Sequence, residues 1–256
     1  MAMKAKTEEK EIEKREEEKD TSTLHFDFQN QGVDEEALME MTKAGVLYGH
    51  KKSRKNPRFN DYIFSVRNGI EVIDISKTVQ AIEFVGQFLK KNVAEKKNIL
   101  IIGTQPAARE AVEKLSHALG DCPYVVTKWI GGLITNFGVL SKRLAYYKKQ
   151  KKGLAEGAFD KYTKRERLLM EREVQKMDTK FKGLEKFEVV PDVVFLIDSS
   201  PKNHQTALHE AHVKKLTVVG IIDNDDNPGD FNYFIPANDH ARASIEWVVD
   251  RLIRNV

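Results

Sequence analysis

The chain has 256 residues, with 42 lysines and arginines against 39 aspartates and glutamates, a formal net charge of +3. Its 41% hydrophobic content suffices for one large domain, or for a domain with an insertion. No apolar run approaches the roughly 18 residues a membrane span needs, the first 20 residues lack an apolar signal-peptide centre, and the single cysteine, Cys122, excludes a disulfide framework and a multi-cysteine zinc site, so a reducing compartment is expected.

Residues 1–33 form a charged extension, with Glu16-Glu17-Glu18 and no apolar periodicity, expected to be disordered or loosely helical. Residues 1–40 hold 6 basic and 13 acidic side chains. Asp34 is a plausible N-cap for a helix running to Lys43, with Leu38, Met39, Met41 and Ala44 on its apolar face. Next comes an acid-free run from His50 to Asn60, carrying Lys51, Lys52, Arg54, Lys55 and Arg58. Asn56-Pro57 and the Asn/Ser content mark it as a loop whose backbone N–H groups are free to donate. Tyr62, Phe64 and Arg67 follow closely. Cations that neutralise phosphates, with aromatics nearby for stacking, are RNA-binding chemistry, although a merely solvated face is the plainer account of any one basic run.

Strands and helices then alternate. Ile70–Ile75 is a short apolar strand, followed by a helix from about Ser76 with Val79, Ile82, Val85 and Leu89 on one stripe. Asn98–Gly103 has the continuous apolar character of a strand buried on both faces. Pro106 opens a helix with Ala111, Val112, Leu115 and Leu119 inward, and residues 124–126 form a third strand. Beyond residue 186 come strands at Val193–Ile197 and Thr217–Ile222, separated by a helix through Ala207, Leu208 and Ala211. Ile235 marks a short last strand, and a helix over Asp239–Arg254 buries Ala243, Ile245, Val248, Val249 and Leu252. This pattern predicts an α/β domain over 34–137 and 187–256, with a parallel sheet covered on both faces.

Residues 138–186 break the pattern and read as an inserted helical hairpin. Val139, Leu140, Leu144 and Tyr147 mark one helix; Met170, Val174, Met177 and Phe181 mark the other at coiled-coil-like spacing. Gly153 and Gly157 lie between them and Gly183 ends the second. Such an arm buries little and serves contact. Its acid-free run carries Lys142, Arg143, Lys148, Lys149, Lys151 and Lys152. Residues 41–137 hold 15 basic and 8 acidic side chains, residues 138–186 hold 15 and 7, and residues 187–256 hold 6 and 11. The small total therefore hides a basic centre between acidic ends, the electrostatic footprint of a polyanion binder.

No catalytic set emerges. Gly103 stands alone before Thr104-Gln105-Pro106 without the glycines of a nucleotide-binding loop, and no Walker motif occurs. That turn admits an anion at the helix start, but an ordinary strand-to-helix turn is the better reading. His204, His209 and His212 share one helix at spacings that fit exposed histidines better than a metal site. Asp223, with Asp225 and Asp226, is a weak metal candidate where a parallel sheet presents ligand loops, against a simple Asp/Asn turn ending at Pro228. Cys122 lacks an activating neighbour and reads as a small buried side chain. Trp129-Ile130-Gly131-Gly132-Leu133-Ile134-Thr135-Asn136-Phe137 is a tight, packed joint leading into the basic arm, its glycines permitting close approach or positive φ and Thr135 or Asn136 capping the next helix.

In that joint the chain resembles the bacterial-type family of small-ribosomal-subunit protein two, whose Trp-Leu-Gly-Gly-x-Leu-Thr-Asn-Phe is matched by Trp129–Phe137. The family's Ala-Gly-Val-His-Phe-Gly-His is similar to Ala44–His50, and its Asn-Pro and Tyr-Ile-Phe-x-x-Arg-Asn-Gly-Ile to Asn56-Pro57 and residues 62–70. Ile73-Asp74-Ile75-x-Lys77-Thr78, Ile101–Thr104, Pro191-Asp192 and Ile235-Pro236-x-Asn238-Asp239 continue the series, from about residue 36 to residue 253. There are departures. Leu47 stands where the pattern has His, Gln205 stands at another aligned His, and Asp223–Pro228 keeps only the first Asp and the Pro of Asp-Thr-Asn-x-Asp-Pro. The resemblance implies a flavodoxin-like, doubly wound sheet carrying a coiled-coil hairpin, in a non-enzymatic, cytoplasmic, ribosome-bound constituent of the small subunit. It implies no cofactor, membrane contact or homo-oligomer. The implied partners are small-subunit ribosomal RNA at the head–body junction and other small-subunit proteins, including the large mRNA-binding one. The RNA contacts expected are His50, Lys51, Lys52, Arg54, Lys55, Arg58, Arg67, Lys142, Arg143, Lys148, Lys149, Lys151 and Lys152, with Trp129, Gly131, Gly132, Thr135, Asn136 and Phe137 as the structural motif. The alternative is a flavodoxin-like nucleotide- or metal-binding enzyme built around the Asp223 loop; a third option is a regulatory RNA binder off the ribosome.

Overall fold

A computed structural model describes residues 35–159 and 162–256; the readings for residues 1–33 and for Asp34 as an N-cap lie outside them. Helix α1 (Glu35–Ala44) buries Ala37 and Met41, while Met39, expected on the apolar face, is exposed. Three short strands follow: β1 (Tyr48–Lys51), β2 (Ile63–Arg67) and β3 (Ile70–Ile73). They pair antiparallel in the order β1-β3-β2. This small sheet corrects two expectations. The segment at Ile70 is not a strand of the parallel sheet, and Ile75 already belongs to the next helix. The physical reason is the Asn68-Gly69 turn, where both residues have positive φ (49° and 78°), as a two-residue hairpin between twisted strands requires.

The parallel sheet has five strands: β4 (Ile99–Ile102), β5 (Tyr124–Val125), β6 (Val193–Ile197), β7 (Thr217–Ile222) and β8 (Tyr233–Pro236). Their spatial order is β5-β4-β6-β7-β8. Counted within this sheet the order is 2-1-3-4-5, that of doubly wound flavodoxin-like sheets. Alternation divides the side chains between two layers. Leu100, Ile102, Val194, Leu196, Val218 and Ile222 share one core with Ala207, Leu208 and Ala211. Ile99, Ile101, Val193, Phe195, Val219 and Ile221 are equally buried, on the face where α2 (Ile75–Ala94), α3 (Arg109–Ala118) and the C-terminal helix pack against one another. Asp74 caps α2, accepting from the Ser76 N–H at 3.0 Å.

Helices α4 (Phe137–Ala155) and α5 (Lys164–Phe181) lie side by side. They bury more than expected: Leu140, Leu144, Tyr147, Phe181, Leu184 and Phe187 belong to the same core as β4, β6 and β7. Val139 is exposed and Met177 half-buried, so the contact stripe is narrower than the periodicity suggested. Helix α6 (Lys202–Val213) joins β6 to β7. The last helix, α7, begins at Arg242 rather than Asp239 and runs to Asn255. It buries Ile245, Val248, Val249 and Leu252 as expected, but Ala243 faces solvent.

Candidate nucleic-acid interface

The first basic segment is more ordered than a loop. His50 and Lys51 end β1, and Lys52–Arg54 and Pro57–Tyr62 form successive 3-10 turns. Its backbone donors are mostly used internally, which corrects the expectation of free N–H groups. His50 N donates to Asn224 Oδ1 (2.6 Å). Lys52 N donates to Gly69 O and Asn56 N to Asn224 O, while Arg58 N donates to Asn56 Oδ1.

The cations divide by what they meet. Lys55 Nζ sits 2.9 Å from Glu71 Oε1, a fully buried carboxylate, and so neutralises an internal charge. His50 Nδ1 lies 3.0 Å from Asp223 Oδ2 and 3.5 Å from Asp225 Oδ1. The hydrogen bond to Asp223 holds its pKa above the ordinary histidine value, against the opposing effect of burial. Arg58 reaches Asn227 Oδ1 at 3.4 Å. Lys51, Lys52 and Arg54 are exposed, and no ion pair engages them among the described residues. Lys51 and Arg67 both align with Ile70 of the central strand β3. Directly paired residues in antiparallel strands project to the same face, so these two cations flank Ile70 in one row across the small sheet.

The second basic segment lies on α4 and divides likewise. Lys148 approaches Glu188 (3.5 Å) and Lys152 approaches Glu156 (3.6 Å). Lys151 lies 3.2 Å from Asp178 and also meets Glu185 and the Tyr147 hydroxyl. Tyr147, fully buried, donates to Asp178 Oδ1 at 2.5 Å. Burial and that acceptor push its phenol up to about 12. This network ties α4 to α5. Lys142, Arg143 and Lys149 are exposed, with no ion pair among the described residues.

The two segments attach at opposite ends of the strand order. The first contacts the turn after β7, and Val46 just before β1 accepts from Asn238 N after β8; the 3-10 turn that follows α5 packs on β5. Five strands at the usual spacing separate the ends by roughly 19 Å.

Between them, Trp129–Phe137 is held by one carboxylate that sequence reasoning passed over. Glu210 of α6 is buried and accepts five hydrogen bonds. Oε1 receives Trp129 Nε1 (2.9 Å) and Gly132 N (2.8 Å); Oε2 receives Ile134 N, Thr135 N and Thr135 Oγ1, each at 3.1 Å. Burial alone would raise its pKa, but these donors outweigh it and hold the carboxyl below the ordinary range. Gly132 has φ 86°, so the glycine is required there; Gly131 shows neither positive φ nor a close neighbour. Thr135 serves Glu210 rather than a helix cap, and Asn136 makes no side-chain capping bond. Phe137 packs edge-on against Phe187, ring centroids 5.4 Å apart.

At the carboxyl edge of the sheet the crevice between β4 and β6 is filled by the protein's own side chains. Gln105 Nε2 donates to Asp198 Oδ2. His204 Nε2 receives the Thr104 N–H at 3.0 Å, and its Nδ1 faces Asp198 O at 2.5 Å. His204 is therefore buried, not an exposed helix histidine, because it falls on the inward stripe with Ala207, Leu208 and Ala211; burial lowers its pKa. His209 and His212 are exposed. Asp223 is engaged by His50 and by the Asn224 N–H, and Asp226 by the Ser199 hydroxyl (2.5 Å). Cys122 is half-buried, with burial pushing its thiol up.

Among known proteins, the family described as Ribosomal protein S2 matches residues 41–256. The chain is 32% identical over 216 residues to the small ribosomal subunit protein uS2 of Petrotoga mobilis, covering 84% of this chain and 74% of that protein. It is 34% identical over 215 residues to the protein of the same name from Dictyoglomus turgidum, covering 84% and 86% respectively.

Proposed function

The chain belongs to the ribosomal protein S2 family and is a structural protein of the small ribosomal subunit; on that premise we propose that it binds ribosomal RNA through two basic surfaces at opposite ends of its sheet. The observation that carries the RNA reading is the division of the cations. Lys51, Lys52 and Arg54 on one surface, and Lys142, Arg143 and Lys149 on the other, are exposed without acidic partners among the described residues. Such side chains release counterions when they meet phosphates, and the row Lys51–Ile70–Arg67 adds apolar surface between two charges. Binding of this kind follows RNA shape and backbone rather than base edges.

Lys55, Lys148, Lys151 and Lys152 act at one remove, holding the two surfaces in place. Helices α4 and α5, within the inserted segment 138–186, work as a coiled-coil arm whose base is anchored in the core. Other small-subunit proteins, including the large mRNA-binding one, are the protein partners, and the chain acts as a ribosome-bound, non-enzymatic constituent. No helix of the described residues is long and apolar enough to cross a membrane. Density-gradient sedimentation of the tagged full chain tests the reading. Co-migration with small subunits that persists at moderate salt and falls in a Lys51→Ala/Lys52→Ala/Arg54→Ala variant is expected; absence from those fractions overturns it.

A further inference from the structure

Four carboxylates converge at the carboxyl edge of the parallel sheet from three strand ends: Asp198 after β6, Asp223 and Asp226 after β7, and Asp239 after β8. Three of them are provided for. Asp223 has His50, Asp226 has the hydroxyls of Ser199 and Ser200, and Asp198 accepts from the Gln105 amide and the Ser200 N–H. Asp239 is different. It is 0% exposed; its Oδ1 lies 2.9 Å from His240 Nδ1, while its Oδ2 has no hydrogen-bond partner. Among the described residues no lysine or arginine pairs with Asp198, Asp226 or Asp239. An orphaned carboxylate oxygen buried among other carboxylates is costly unless a cation or a proton compensates it.

We propose that Asp198, Asp239 and His240 form a binding site for a divalent transition-metal ion, Zn²⁺ foremost, that ties the ends of β6 and β8 together. One ligand atom from each residue lies within 4.8 Å of the others. His240 Nδ1 is 2.9 Å from Asp239 Oδ1 and 3.9 Å from Asp198 Oδ2. Those separations bracket the ~3.3 Å between neighbouring ligands of a tetrahedral zinc with bonds of about 2.0–2.1 Å. An imidazole with two carboxylates selects zinc over magnesium or calcium, which prefer all-oxygen shells. His240 is partly exposed, leaving room for a water as fourth ligand. Its ring also meets His50 edge-on, centroids 4.6 Å apart, so an ion there would steady the ring against which the first basic segment packs.

Calorimetric titration of the chelator-treated full chain with Zn²⁺, alongside Co²⁺ absorption spectra, tests the site. The wild type should bind one ion per chain and give the intense visible bands of tetrahedral Co²⁺. Asp239→Asn and His240→Ala should each weaken Zn²⁺ binding by about tenfold or more, while His209→Ala/His212→Ala leaves it unchanged. Circular dichroism checks that the near-isosteric Asp239→Asn remains folded, and His240→Ala, at a partly exposed position, gives a second reading. No binding by the wild type overturns the proposal. So does binding that survives both Asp239→Asn and His240→Ala, or a wild type that ignores metal while Asp239→Asn merely becomes more stable, which would mean that the carboxylates share protons instead.

Discussion

Replacing Glu210 with Gln removes one charge and changes little in shape, so its effect measures what the carboxylate does for the Trp129–Phe137 joint. Two donors converge on Oε1 and three on Oε2. Whichever way an amide turns, its NH₂ group must face at least two of them. Each charge-assisted bond is worth about 1.5–3 kcal/mol, with strong non-additivity among neighbours. The expected loss is therefore about 3 kcal/mol for Glu210→Gln and about 3–5 kcal/mol for Glu210→Ala, which strands the buried Ile134 N–H among the other donors. Urea denaturation of the full chain gives these values directly. The pH dependence has a definite sign. Because the folded carboxyl titrates below its unfolded value, its stabilisation is complete above about pH 4.3 and is lost as pH falls through the lower folded value. The gap between wild type and Glu210→Gln should thus be widest near neutrality and narrow on acidification. A Glu210→Gln protein within about 0.5 kcal/mol of wild type at pH 7, or a gap that does not change with acid, would refute the reasoning.

Three further outcomes follow from the same geometry. Lys51→Ala/Lys52→Ala/Arg54→Ala should reduce the slope of log affinity for small-subunit RNA against log salt by roughly 2–3, as expected when three phosphate contacts are lost; an unchanged slope would mean that these side chains meet no phosphate. Tyr147→Phe removes a hydroxyl that donates to Asp178 and should cost about 1–2 kcal/mol in urea denaturation, loosening α4 from α5. Gly69→Ala should cost about 1 kcal/mol through backbone strain alone, because φ is 78° and an added methyl would meet nothing within 4 Å; a neutral substitution would show that the hairpin turn relaxes freely.

The strands of the parallel sheet were legible because burial on both faces leaves continuous apolar runs such as Ile99–Ile102 and Val193–Ile197. The antiparallel sheet was not read, although Asn68-Gly69 is a strong hairpin signal; Ile63–Arg67 is too exposed and irregular in register to alternate cleanly. Helix α6 held a clue that went unused. His204 and Glu210 occupy the stripe of Ala207, Leu208 and Ala211, and a polar side chain on an inward stripe must have partners. The basic runs misled in a specific way. Both are free of acids in sequence but not in space, because Glu71, Asp178, Glu185 and Glu188 reach Lys55, Lys151 and Lys148 from other elements. Such pairings depend on tertiary approach, so no local pattern could separate the cations that hold the fold from those facing solvent. The carboxylates at Asp198, Asp226 and Asp239 were scattered for the same reason, since only the parallel strand order brings their loops together.

The central claim is that two basic surfaces carry the RNA contact while the carboxyl edge of the sheet does not. RNA crosslinking of assembled small subunits, with the modified peptides identified by mass spectrometry, tests it most directly. Crosslinks should fall on Lys51, Lys52, Arg54 and Arg67 and on Lys142, Arg143 and Lys149. Crosslinks confined to the Asp198–Gln205 and Asp223–Asp230 loops, with none on either basic segment, would contradict the account.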